Sequence, residues 1–110
     1  MGRGKVFQCE VTISSGVREK LFKKHNIEIW EVEEVIYDDP HAFSITYRDC
    51  YFLYGQTFSG RYLLILVRLL SLEEVTKLGF QKEINFIKII TARDMNKSQR
   101  KMYNQKRGIK

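Results

Sequence analysis

Residues 5–13, KVFQCEVTI, alternate in polarity: Phe7, Cys9, Val11 and Ile13 fall on one side, Val6, Gln8, Glu10 and Thr12 on the other. A period of two over that length predicts a strand with one buried face. The period then lengthens. In SSGVREKLFKKH, Val17 and Leu21 sit four apart, Ser15 or Gly16 is placed to cap, and Lys23, Lys24 and His25 load the last turn, where cations suit a helix dipole. Asn26 is the predicted stop, since Asn tolerates the left-handed conformation in which helices often end. In IEIWEVEEVIYDDP the apolar stripe is Ile29, Val32, Val35 and Ile36, the glutamates take the other face, as a solvated surface or as a metal or acid/base site, and Pro40 closes a second helix.

Beyond Pro40 the pattern changes to β-branched and aromatic runs: AFSITYR, YFLYGQT, RYLLILVRLL and, after a short excursion SLEEVTKLG, EINFIKIIT. FSGR between the second and third runs reads as a hairpin turn with Gly60 at the unusual backbone angle. NKSQRKMYNQK opens with Asn96 as cap and Gln99 three residues on, the amide form of a capping box, with Gly108 past the helix end. Its substantial apolar groups are Met102 and Tyr103, so most of its cations must face water or a partner. Short connections favour an antiparallel meander for the last three strands. The expected fold is α+β: a small antiparallel sheet of four or five strands, two helices inserted after the first strand, and a basic C-terminal helix.

At 110 residues and 44% hydrophobic, the chain suits one domain, 1–110, in which 96–110 form the basic helix and tail. Charge is unevenly spread. Residues 93–110 carry Arg93, Lys97, Arg100, Lys101, Lys106, Arg107 and Lys110 against Asp94 alone, which accounts for the whole net charge of +6. Glu28, Glu31, Glu33, Glu34, Asp38 and Asp39 fall in a stretch with no base. Cys9 and Cys50 lie in apolar runs and read as buried free thiols, not as a disulfide framework or a metal cluster. The longest apolar run, Tyr62 to Val67, is far short of a membrane span, and no long apolar leader follows Arg3 and Lys5. The expectation is a cytoplasmic chain with no membrane partner.

A meander brings the end of YFLYGQT, the start of RYLLILVRLL and the end of EINFIKIIT to one edge, gathering Gln56, Thr57, Arg61 and Arg93 beside the start of the last helix. Two arginines and a helix N-terminus describe a place for a phosphate. Arg61 as a solvated turn residue, and Arg93 paired with Asp94 or with the acidic helix, are the alternatives. His25 falls on the apolar face of its helix and reads equally as a structural histidine or as a general acid or base.

Three segments, KKHNIEIWEVEEVIYDDP, YGQTFSGRYLLIL and IITARDMNKSQRKMY, resemble in that order those of BrnT-family toxins. The likeness spans residues 17–103 and is most specific in the last segment, where a strand, an Ala-Arg joint, a cap and a basic helix come together. The resemblance implies a RelE-like domain and a metal-independent, cofactor-free endoribonuclease that slows translation. The implied partners are RNA and a cognate antitoxin, with a dimer or an antitoxin heterotetramer as the assembly. It places catalytic roles on Arg61, Arg93, His25 and Lys24, and nucleic-acid contacts on Lys97, Arg100, Lys101 and Arg48. The competing expectation is a non-catalytic module that binds nucleic acid or a partner through the same basic edge.

Overall fold

A computed structural model describes residues 9–70, 85–106 and 108. The apolar runs become β1 (Cys9–Thr12), β2 (Phe43–Tyr47), β3 (Cys50–Gln56), β4 (Tyr62–Leu69) and β5 (Asn85–Asp94). The 3.6-period segments become α1 (Ser15–His25), α2 (Ile29–Glu33) and α3 (Lys97–Lys106). The excursion SLEEVTKLG and residues 5–8 lie outside the described residues.

The five strands form one sheet in the order β1-β5-β4-β3-β2. β3 to β5 are the expected antiparallel meander, with Leu53 opposite Ile65 and Ile65 opposite Ala92, and β2 extends it beside β3. β1 departs from expectation: it runs parallel to β5, Cys9 opposite Asn85 and Thr12 opposite Lys88. The sheet is therefore mixed, not antiparallel throughout. The two helices after β1 carry the chain to the far side of the sheet, where β2 begins, so β1 takes the open edge of β5 instead of joining a hairpin.

Capping chemistry sets the helix ends. Ser14, in extended backbone, accepts a hydrogen bond from the Val17 N–H at 3.2 Å, so the cap is Ser14 and neither Ser15 nor Gly16. Asn26 stops α1 at φ 54°, its N–H returning to the Phe22 carbonyl at 2.9 Å. α2 is shorter than its apolar stripe implies and widens into a π turn over Glu34–Asp38. In α3, the Asn96 side chain accepts from the Gln99 N–H and the Gln99 side chain from the Asn96 N–H, both at 2.9 Å.

Strand alternation sends side chains to two cores. On one face Leu53, Leu63, Ile65, Val67, Ile87 and Ile89 pack under α1 and α2 against Leu21, Val32, Val35 and Ile36. On the other, Tyr54 and Leu64 pack with Met95 and Tyr103 beneath α3. Burying each large apolar side chain fully is worth about 1.5–3 kcal/mol, so the first, larger core dominates stability. The second depends on Tyr103, fully buried, whose hydroxyl donates to Asp39 Oδ2 at 2.6 Å. Asp39 also accepts from the backbone N–H groups of Gln56 and His41, both at 2.8 Å. This buried carboxylate ties α3, β3 and the end of the π turn together. Cys50 is half-buried, not a core thiol, because it sits at the mouth of the β2–β3 hairpin.

Candidate nucleic-acid interface

The turn Thr57–Arg61 sits over the C-terminal end of β5, and its Arg61 side chain reaches across to the loop after α1. Every N–H of the guanidinium finds an acceptor. Nε donates to Asp94 Oδ1 at 2.7 Å, and one η-nitrogen donates to Asp94 Oδ2 at 3.1 Å and to the His25 carbonyl at 2.7 Å. The other donates to the Asn26 carbonyl at 2.8 Å and to Glu31 at 3.1 Å. Among the alternatives for the basic edge, it is thus Arg61, not Arg93, that takes both Asp94 and the acidic helix. Glu31 in turn accepts from the Glu28 N–H at 3.0 Å. It is buried at 8% exposure, so the acidic face of α2 is not uniformly solvated.

This arrangement shifts both partners in the direction that strengthens the pair. The hydrogen bond to Asp94 raises the Arg61 pKa, partial burial opposes, and the charges of Asp94 and Glu31 add to the rise. The Arg61 hydrogen bonds hold the Asp94 carboxyl below the usual carboxylate range; burial opposes, while the charges of Arg61, His25 and Arg100 add to the depression.

Arg93 precedes Asp94 and projects to the opposite face, opposite Leu64. It is exposed, one η-nitrogen hooks back to the Asp94 carbonyl at 3.0 Å, and it makes no ion pair among the described residues. Arg61 thus ties the end of α1 to Asp94 on one face of the sheet, while Arg93 lies on the other face, the one that α3 covers. Lys24 lies exposed in the last turn of α1, and Lys97 and Lys101 lie exposed in the first turns of α3. Gln56 and Thr57 serve the turn instead: Gln56 Nε2 donates to the Gly60 carbonyl at 3.1 Å, and Thr57 Oγ1 accepts from the Arg61 N–H at 3.1 Å. Arg48 is remote, in the β2–β3 turn at the other end of the sheet, its guanidinium 5.4 Å from the centre of the Tyr47 ring.

Two members of this cluster were not read as partners of Arg61. Asp94 had a signal, being the one acid in the basic C-terminal segment, but its partner lies 33 residues away. Glu31 had none beyond its neighbours in an acidic helix. No helix among the described residues is long and apolar enough to cross a membrane. No protein-family model matches the chain, and no relative is found among curated proteins.

Proposed function

We propose that this protein is a RelE-like endoribonuclease of the BrnT type, the toxin of a toxin–antitoxin pair, acting on RNA in the cytoplasm. The observation that carries the reading is the cationic start of α3 beside exposed Arg93 at the end of β5, next to which Arg61 ties His25 to Asp94. Arg93 and Arg100 supply positive charge to one phosphate group, the electrostatic stabilisation that in-line attack by a neighbouring 2′-hydroxyl requires. In that step the 2′-oxygen bonds to phosphorus and the bond to the 5′-oxygen breaks. The 2′-hydroxyl gives up its proton and the departing 5′-oxygen gains one, and His25 is the proposed proton-transfer group. Lys24, Lys97 and Lys101 hold the flanking backbone.

Arg61 is a positioning residue in this scheme. Its donors are spent on Asp94, Glu31 and the two carbonyls that end α1, so it fixes His25 relative to β5. The same saturation favours a second reading, a non-catalytic module that binds RNA, because a phosphate would meet only Arg93 and Arg100. Incubation of the purified chain with RNA in EDTA separates the two. Cleavage that disappears in Arg93→Ala while the melting temperature stays within a few degrees supports the nuclease. RNA that is bound but left intact by the parent chain supports the module. Arg93→Lys sharpens the test, since lysine keeps the charge and loses the planar fork.

A further inference from the structure

α3 covers only one end of its sheet face. It packs over Tyr54, Tyr62 and Leu64, and Lys106 reaches the Phe43 ring at 5.1 Å. The rest of that face follows from the register: Ile45 opposite Phe52, Tyr47 opposite Cys50, Phe52 opposite Leu66, and Arg68 opposite Lys88. Tyr47 is 51% exposed and Ile45 41%. The rings of Tyr47 and Phe52 lie 5.6 Å apart, tilted at 45°, with the Arg48 guanidinium against Tyr47. Arg48, Arg68 and Lys88 supply cations around these rings, and Asp49 is the one acid in the adjoining turn.

The backbone of Arg48 is the second observation. Its φ is 57° in a turn where Gly or Asn sits without strain. An arginine held there is strained, and strain of this kind collects where a side chain has a task. The side chain it places is the guanidinium on Tyr47.

We infer that the half of this sheet face left uncovered among the described residues, Tyr47, Arg48 and Phe52 with Arg68 and Lys88, is a stacking platform for single-stranded nucleic acid, an extension of the site at Arg93. The inference rests on the nucleic-acid reading above and adds where the strand runs. From Arg93, opposite Leu64, to the level of Arg68 is four residues of β4, roughly 13 Å at ~3.3 Å per residue. A strand anchored by its phosphate at Arg93 reaches the Tyr47 ring farther across the sheet with its next nucleotides. Aromatic faces among cations suit unpaired bases, whose own faces are open; in a duplex those faces are already stacked. The opposite charge of the backbone matches Arg48, Arg68 and Lys88.

The test uses 2′-O-methyl RNA, which lacks the attacking hydroxyl, in lengths of about four and about twelve nucleotides. The parent binds the longer strand more tightly per site than the shorter. Tyr47→Ala weakens the longer strand's binding by about fivefold to a hundredfold, the range for one stacked base, and leaves the shorter unchanged. Arg48→Gly is the decisive variant: relief of the positive φ raises the melting temperature while the longer strand binds more weakly, so misfolding cannot account for the loss. The parent strand also protects Cys50 from alkylation, read on its own peptide by mass spectrometry. Equal affinity of parent and Arg48→Gly for the longer strand, with both binding the shorter, overturns the platform and leaves the site at Arg93 standing. A parent that binds neither length overturns both. Loss of binding to an acidic protein, but not to RNA, in the Tyr47 and Arg48 variants overturns the platform in favour of a protein-docking face.

Discussion

Arg61, immediately before β4, grips Asp94, at the end of the neighbouring β5, with two parallel hydrogen bonds at 2.7 and 3.1 Å. A guanidinium held this way costs little to keep in place because its planar fork matches the carboxylate. With its remaining donors it holds the two backbone carbonyls that end α1 and the carboxylate of Glu31. One of the two arginines to which the resemblance assigns a catalytic role is therefore the joint between the helical layer and the sheet.

Arg61→Ala should accordingly lower stability, by about 3–5 kcal/mol, the range for removing one partner of a buried pair. The Glu31 side chain is only 10% exposed and would be left charged without its cation. Arg61→Lys should recover a small part, since one ammonium cannot serve four acceptors. Adding Glu31→Gln to Arg61→Ala should recover more, because no charge then stays buried. Urea unfolding of the four proteins checks this, and a change under 1 kcal/mol for Arg61→Ala would contradict it.

The same pair predicts the acid response. The folded-state pKa of Asp94 is depressed below its unfolded value of about 3.9, so its contribution is full above that pH and lost as pH falls through the lower, folded value. The pKa of Arg61 is raised from one already far above neutrality, so its contribution does not vary at acid or neutral pH. Parent and Asp94→Asn should thus differ in urea midpoint at pH 6 and draw together as pH falls below the unfolded carboxylate range. The Asp94 side chain is 57% exposed, so added salt should shrink the difference at pH 6. A difference that persists unchanged into acid would show that Asp94 acts by packing alone.

Local chemistry was legible in the residues: the Asn26 stop, the Gly60 turn, the Asn96–Gln99 cap and the meander from β3 to β5 all follow from patterns a few residues long. Long-range choices were not. Nothing in KVFQCEVTI tells a strand to run parallel to β5 rather than antiparallel to it, because the alternation is the same in both. The π turn at Glu34–Asp38 hides in a stripe, Val32, Val35 and Ile36, that an unbroken α-helix satisfies equally. Arg61 looked available for a ligand because its partners lie 30 to 36 residues away in sequence.

The cations of α3 make a salt-dependence prediction. Lys97, Arg100 and Lys101 are exposed and make no ion pair among the described residues. If they lie along an RNA backbone, each Lys/Arg→Gln change should weaken binding across sequences and reduce the slope of log K against log salt by about 0.7. Fluorescence titrations at several salt concentrations measure the slope. An unaltered slope in the triple variant would place the RNA elsewhere.

Tyr103 anchors the helix that carries those cations. Tyr103→Phe keeps the ring in its core and removes the 2.6 Å hydrogen bond to Asp39 Oδ2, which retains its bond from the Gln56 N–H. The cost should be about 1–2 kcal/mol, the lower part of the range for an interrupted buried hydrogen bond. Hydrogen exchange should rise in α3 more than in β4. Equal acceleration in both would mean that the helix does not open separately from the sheet.

Gly55 makes a claim about packing that can be tested without any ligand. It lies on β3 beneath the π turn, and a methyl group built on it would run into the Val35 side chain and lie 3.1 Å from Asp39 Oδ2. Glycine is required there because the helical layer comes too close for a Cβ, a matter of space and not of backbone angle. Gly55→Ala should cost about 1–3 kcal/mol as an overpacked core. Val35→Ala alone should also destabilise, by leaving a cavity. Combined, the two should be less harmful than their sum, since the second removes the atoms that the first strikes; contacting residues couple by about 0.5–3 kcal/mol. Chemical denaturation of the two single variants and the double variant completes the cycle. Strict additivity would mean that the π turn and β3 move apart freely, and Asp39 would then lose its hold on Gln56 and Tyr103 together.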